Sequence, residues 1–515
     1  MSKFFSENSK LKNSIPIMLI VLFFLFRLPY CLSNGFIPDE LWHSGYMINF
    51  HSLPVTNYQG HGTGFWIFGH LLTYVFGSEA KFLYALRVSS LLAFCGSSYL
   101  IYMAANRTAG KKYALLTLLV FLSLPMAWWG GKLIFVEFYS IYLLTLAGYV
   151  LLFKNGKFLP WILMGFCIGL KVTSIPVVVM LFMNKVFLID EHATLSLQFC
   201  KKILSYSCLI LLGFIICNPN ILWNVDGFIG NLPNTNLNIN LRFFNLFNLF
   251  STETVSWDLV HTRGLSKHVF PAINLVLLSI IIFWLSSFRG RLIYFITIIT
   301  FLIVFGNTGT QHVWLAFQST LIIFIPLVYY PVFLKASRKY FVSLGALSAV
   351  FFINIYSSIP IYQNNNFSRN MMVNSIENRT EISKCIITYL NNIDLEKDKI
   401  GIIFNRSEMG GNSLRQELLT NPEIKKKVHW LVSNRLARKE IFSTNLDDWK
   451  SVLEDGRMIL ILNNRRDQLF SSNLFDVKQI FQIIKNKFPH QLTPVNFEYV
   501  SKCDTVDIVL ARYIR

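Results

Sequence analysis

Asp39 and Glu40 stand side by side in Ile37-Pro38-Asp39-Glu40-Leu41-Trp42-His43, with an imidazole following them closely. Apolar chain lies on either side, Ile15 to Cys31 before and Phe65 to Phe76 after, so the carboxylates sit at the edge of a medium that disfavours charge. Desolvation and a neighbouring like charge both raise the basicity of a carboxylate, so Asp39 held beside Glu40 could take the proton of a hydroxyl group. An Asp that follows a proline also caps a short interfacial helix. The residues alone leave both readings open.

The elements that must position this pair are written in the composition. The chain has 515 residues, of which 53% are hydrophobic and 15% charged, and its mean hydropathy is +0.46. Such a chain is a membrane protein, because an apolar helix of about 20 residues spans the roughly 30 Å hydrocarbon core and satisfies its own backbone. The hydropathy pattern predicts a polytopic α-helical protein with about eleven transmembrane helices. The apolar stretches run past residue 350, so a cleaved signal peptide accounts for little of the pattern. Lys3, Lys10 and Lys12 put the N-terminus in the cytoplasm, which makes 34–81 and 218–267 the two large external loops. A basic balance of +19 invites nucleic acid as a partner, yet the basic residues between spans sit in the short loops where topology wants them. Nucleic-acid binding is therefore not expected.

Residues 158–188 read as two short helices, going out and back, interrupted by Lys171 and Pro176. The last span ends near residue 358, and 1–362 form the transmembrane part. From residue 363 the character changes to mixed charge, with short apolar runs at Lys399 to Phe404, Val428 to Val432 and Met458 to Leu462. Short buried strands alternating with helical segments predict a soluble external α/β domain over 363–515. Six cysteines lie in or beside apolar segments and read as small core residues, whereas Cys385 and Cys503 could pair if that domain faces an oxidising compartment.

This threading gathers the suggestive polar residues outside the C-terminal domain on one face: Asp39, Glu40, His43, His61, Lys132, Glu137, Asp226, His261, Arg263, His268, Gln311 and His312. Lys171 is the exception. An ammonium among apolar residues marks a site or a partner, unless the short hairpin simply lets it reach the interface. Lys132 and Arg263 suit a lipid phosphate or equally snorkel to the boundary. The histidines are compatible with a divalent metal, although no spacing demands one. Trp128, Trp129, Trp223, Trp257 and Trp314 read as interfacial anchors.

The first loop resembles that of the GT-C superfamily of membrane glycosyltransferases, the group of protein O-mannosyltransferases, lipid A aminoarabinose transferases and GPI mannosyltransferases. Pro38-Asp39-Glu40 with Trp42 is similar to its early acidic pair, and Glu137 to its second acidic position. Gly165-Phe166-Cys167-Ile168-Gly169-Leu170-Lys171-Val172-Thr173 and Asn218-Pro219-Asn220 extend the likeness, which covers residues 15–360. Where the aminoarabinose transferases carry Lys-Pro-Pro, this chain reads Tyr58-Gln59-Gly60-His61-Gly62-Thr63-Gly64. The resemblance implies an inverting glycosyltransferase. Asp39 would be its general base, assisted by Glu40, with His43, His61, Lys132, Glu137, Lys171, His261, Arg263 and His312 around the substrates.

Nucleotide sugars are made in the cytoplasm, so a centre on the other face needs a polyprenyl-phosphate sugar donor and a glycan, lipid or protein acceptor. A bacterial inner membrane with a periplasmic C-terminal domain is the expected setting, with the endoplasmic reticulum as the alternative. A lipid-linked oligosaccharide flippase and a polysaccharide polymerase are the rival functions.

Overall fold

The computed structural model describes residues 2–32, 40, 43, 47, 63–76, 79–124, 127, 136–154, 156–189, 197–222, 272–307, 338–363 and 388, together with five strands between 400 and 513. The chain divides into two compact units. The first comprises 1–33, 54–68 and 82–365; the second comprises 34–53, 69–81 and 366–515.

The helices are α1 (Ser2–Cys31), α2 (Thr63–Phe76), α3 (Glu79–Ala109), α4 (Lys111–Leu122), α5 (Val136–Phe153), α6 (Leu159–Leu170), α7 (Ile175–Met183), α8 (Leu197–Cys217), α9 (Ala272–Leu285), α10 (Phe288–Asn307) and α11 (Arg338–Gln363). Among the described residues, four helical stretches are long and apolar enough to cross a bilayer: Ser14–Cys31, Lys81–Ala109, Val136–Phe153 and Phe199–Cys217. Their outer faces carry exposed Leu22, Leu25, Leu92, Leu204 and Leu211, as lipid-facing surfaces do. The expected tenth span, about 314–334, lies outside the described residues.

Phe94 of α3 is the hub of the first unit. It stacks on Phe121 of α4 with centroids 4.9 Å apart and meets Phe138 of α5 at 5.1 Å and Phe23 of α1 at 5.6 Å. Such ring pairs add about 0.5–1.5 kcal/mol each beyond the area they bury. α11 is fastened to α4 by a polar lock, because Asn354 Nδ2 donates to the Val120 carbonyl (3.3 Å) and to Ser123 Oγ (3.2 Å).

The closest helix crossing is that of α6 with α8. A Cβ on Gly165 would collide with the carbonyl of Ile210, and one on Gly213 with the carbonyl of Ile162. The two backbones therefore touch reciprocally, and dispersion between them replaces the hydrophobic drive that lipid cannot supply. Trp161 stacks on Tyr206 beside the crossing, centroids 4.0 Å apart.

In the second unit, the five strands form one mixed sheet of order β2-β1-β3-β5-β4. β1 (Ile400–Phe404) runs parallel to β2 (Val428–Val432) and to β3 (Met458–Asn464). β5 (Val506–Tyr513) is antiparallel to both β3 and β4 (Pro494–Cys503). The first three strands fall on the apolar runs that the sequence marks. The β4–β5 pair was not anticipated, although Val495, Phe497 and Tyr499 alternate with polar residues in the two-residue period of a half-buried strand. The segments joining β1 to β4 lie outside the described residues.

Candidate functional site

α6 ends at Lys171, whose backbone turns extended (φ −156°, ψ 121°), and the chain passes through a 3₁₀ turn, Val172–Ser174, into α7. Residues 158–188 therefore form the two short helices expected. The break costs backbone hydrogen bonds that lipid cannot replace, so it is tolerated where protein surrounds it. Lys171, Thr173 and Ser174 are all buried.

The Lys171 ammonium is paired with the Glu137 carboxylate of α5, and both side chains are buried. Lys171 thus does not reach the interface as a snorkelling side chain would. Its partner is one of the twelve residues that the threading gathers on one face, and the pair neutralises a charge that neither helix could carry alone. Glu137 lies in the first turn of α5, where the helix dipole also favours a carboxylate.

Two residues earlier in α6, Gly169 offers its carbonyl to Asn218 Nδ2 at 3.2 Å, and the close fit leaves 2.7 Å between that nitrogen and any Cβ at position 169. Asn218 follows the end of α8 and turns its Oδ1 to the backbone N–H of Thr63 (3.1 Å), the first residue of α2. Thr63 Oγ1 donates to Asn220 Oδ1 at 2.9 Å. An amide in the first turn of a helix has no intrahelical acceptor, so Asn218 supplies one from a distance. Asn218-Pro219-Asn220 is the helix exit expected, and its two asparagines join α2, α6 and α8.

In the second unit, Glu40, His43 and Met47 have helical backbone and are all buried. Met47 rests on Gly69, where a Cβ would overlap its thioether, and its carbonyl oxygen lies 2.7 Å from His70 Nδ1. A carbonyl only accepts, so Nδ1 carries a proton, and in the neutral ring Nε2 accepts from the Tyr74 hydroxyl at 3.2 Å. Nothing in the sequence singled out His70, which is embedded in the apolar run Phe65 to Phe76.

Two further cations escaped the sequence reading. Arg87 of α3 is fully buried and its Nη1 donates to the carbonyl of Cys31, the last residue of α1, at 3.3 Å. Arg27, one turn before on α1, is also buried and lies over the Tyr30 ring at 4.8 Å. Of the residues singled out from sequence, Asp39, His61, Lys132, Asp226, His261, Arg263, His268, Gln311 and His312 lie outside the described residues. Among the described residues no group of three or more His, Cys, Asp or Glu could hold a metal ion.

No protein-family model matches the chain, and no curated protein sequence does. Among solved structures it is similar to ArnT from Cupriavidus metallidurans bound to undecaprenyl phosphate, at 12% identity and a TM-score of 0.46 over 96% of this chain and 97% of that one. The apo form of the same protein gives 12% identity and a TM-score of 0.47 over the same shares. An oligosaccharyltransferase from Archaeoglobus fulgidus, tethered with an acceptor peptide, gives 9% identity and 0.46 over 88% of this chain and 70% of that one.

Proposed function

We propose that this chain is a membrane glycosyltransferase that moves a sugar from a polyprenyl-phosphate donor to an acceptor on the non-cytoplasmic side. The observation that carries the reading is the burial of Glu40 and His43, each with helical backbone, in the acidic segment that follows the first span. A carboxylate withdrawn from water is costly, and a site that must hold charge against a substrate retains it.

Asp39, adjacent to Glu40 in sequence, is the general base. It takes the proton of an acceptor hydroxyl as the oxygen attacks the anomeric carbon. The bond from that carbon to the phosphate oxygen breaks with its electron pair, the polyprenyl phosphate leaves as an anion, and the configuration inverts. Glu40 orients the acceptor. Lys132 and Arg263 stabilise the charge that develops on the departing phosphate, and the Lys171–Glu137 pair fixes the broken-helix segment. His43, His61, His261 and His312 contribute polar contacts to the lipid-borne sugar or its acceptor. The N-terminus is cytoplasmic, and the C-terminal sheet domain lies outside with the acceptor.

Asp39→Asn is the test. In vesicles supplied with a labelled polyprenyl-phosphate sugar, the variant is expected to lose transfer while its membrane abundance stays at the wild-type level. Wild-type transfer by that variant rejects Asp39 as base.

The interruption of α6 at Lys171 favours one other reading, since unwound backbone and a buried ion pair also occur in carriers. A carrier of lipid-linked oligosaccharide would change the sidedness of the labelled lipid in the same vesicles without forming a new glycosidic bond.

A further inference from the structure

We propose that His70 is a positioning residue for sugar transfer, acting through the Met47 carbonyl to hold the segment that carries Glu40 and His43; the inference rests on the transferase reading above. His70 is buried, and its two ring nitrogens have different partners, the Met47 carbonyl at 2.7 Å and the Tyr74 hydroxyl at 3.2 Å. The Tyr74 ring stands edge-on to the imidazole, centroids 5.1 Å apart and planes at 76°, so the ring is held in orientation as well as in place.

What it grips is the far end of the acidic segment. Met47 is fully buried, and its side chain fills the space that the absent side chain of Gly69 leaves beside His70. The contact is therefore both apolar and hydrogen-bonded at one point. Glu40 and His43 lie seven and four residues before Met47, and each of the three has helical backbone. In this scheme the hold on Met47 is what keeps the two polar residues in place. His70 touches neither a reacting atom nor a substrate in this scheme. It sets where the carboxylate side of the site stands, and the catalytic rate is sensitive to ångström-scale misplacement.

The experiment uses the full chain in nanodiscs with His70→Leu and His70→Asn. Leucine removes both polar contacts, whereas asparagine keeps an N–H donor at the δ position that faces Met47. Transfer is measured from a panel of tritiated undecaprenyl-phosphate sugars (hexose, N-acetylhexosamine, aminopentose) to membranes of a deletion strain. Hydrogen–deuterium exchange of residues 40–47 is followed on the same preparations.

His70→Leu is expected to lower kcat roughly tenfold or more, with the donor KM within about twofold, and to speed exchange across 40–47 on the order of fivefold, as loss of one net hydrogen bond does. His70→Asn is expected to recover most of kcat and to restore slow exchange. Unchanged kcat and exchange in His70→Leu overturn the proposal, and so does a loss of kcat that His70→Asn fails to recover while exchange stays at the wild-type rate. A wild-type chain that transfers no sugar from any donor of the panel instead rejects the transferase reading and the positioning role with it.

Discussion

Replacing Lys171 by Met leaves the Glu137 carboxylate buried without its ammonium, and the cost can be worked from the pair. Two unit charges about 4 Å apart attract by about 4 kcal/mol at the effective dielectric that describes such sites. Removing one partner of a buried pair costs about 3–5 kcal/mol, because the survivor keeps its desolvation penalty. Glu137→Leu should cost a similar amount by stranding the ammonium. The double variant carries no stranded charge, and replacement of a buried ion pair by apolar groups of similar volume is often neutral or stabilising. A double-mutant cycle should therefore show coupling above roughly 3 kcal/mol. The assay is SDS titration of the purified chain in mixed micelles, followed by tryptophan fluorescence and far-UV circular dichroism. Single-variant losses that add in the double variant to within about 0.5 kcal/mol would refute the reasoning, since the two charges would then not be sustaining each other.

Gly213→Leu should break the α6–α8 crossing, because the new side chain must displace the Ile162 carbonyl rather than a yielding side chain. A loss of about 1–3 kcal/mol or more in the same titration is expected, whereas Gly345→Leu, with nothing near its Cβ, should be nearly silent. Asn218→Ala removes the acceptor of the Thr63 amide and the donor to the Gly169 carbonyl. It should cost about 1–3 kcal/mol for the polar groups left behind, and hydrogen–deuterium exchange at the start of α2 should speed accordingly.

Much of the helical framework is legible in sequence because hydropathy is a local signal. The interruption at Lys171 and Pro176 and the helix exit at Asn218-Pro219-Asn220 are written in single residues that helices avoid in their interiors. The pairing of Lys171 with Glu137 is not, since the partners are separated by an intervening turn and two helices, and no spacing rule links them. Hydropathy also hides what it averages over. Arg87 and His70 vanish inside apolar windows, although each side chain binds a main-chain carbonyl. The β4–β5 pair was missed for a different reason: Asp504-Thr505 between the strands is not one of the dipeptides that announce a tight hairpin. The acidic segment itself was located by residue type, but the burial of Glu40, His43 and Met47 was invisible without knowing that each has helical backbone.

The grip of Arg87 on the end of α1 bears on how the protein is made. As the nascent chain leaves the ribosome, α1 reaches the bilayer before α3, bringing Arg27 and a last turn of carbonyls that hydrocarbon cannot solvate. The guanidinium that satisfies the Cys31 carbonyl arrives only with α3. Until then the lone segment suits the aqueous flank of the insertion machinery better than lipid. Integration of these two helices is thus expected as a joint event, with the opening segment retained at the lateral gate until its companion has been synthesised.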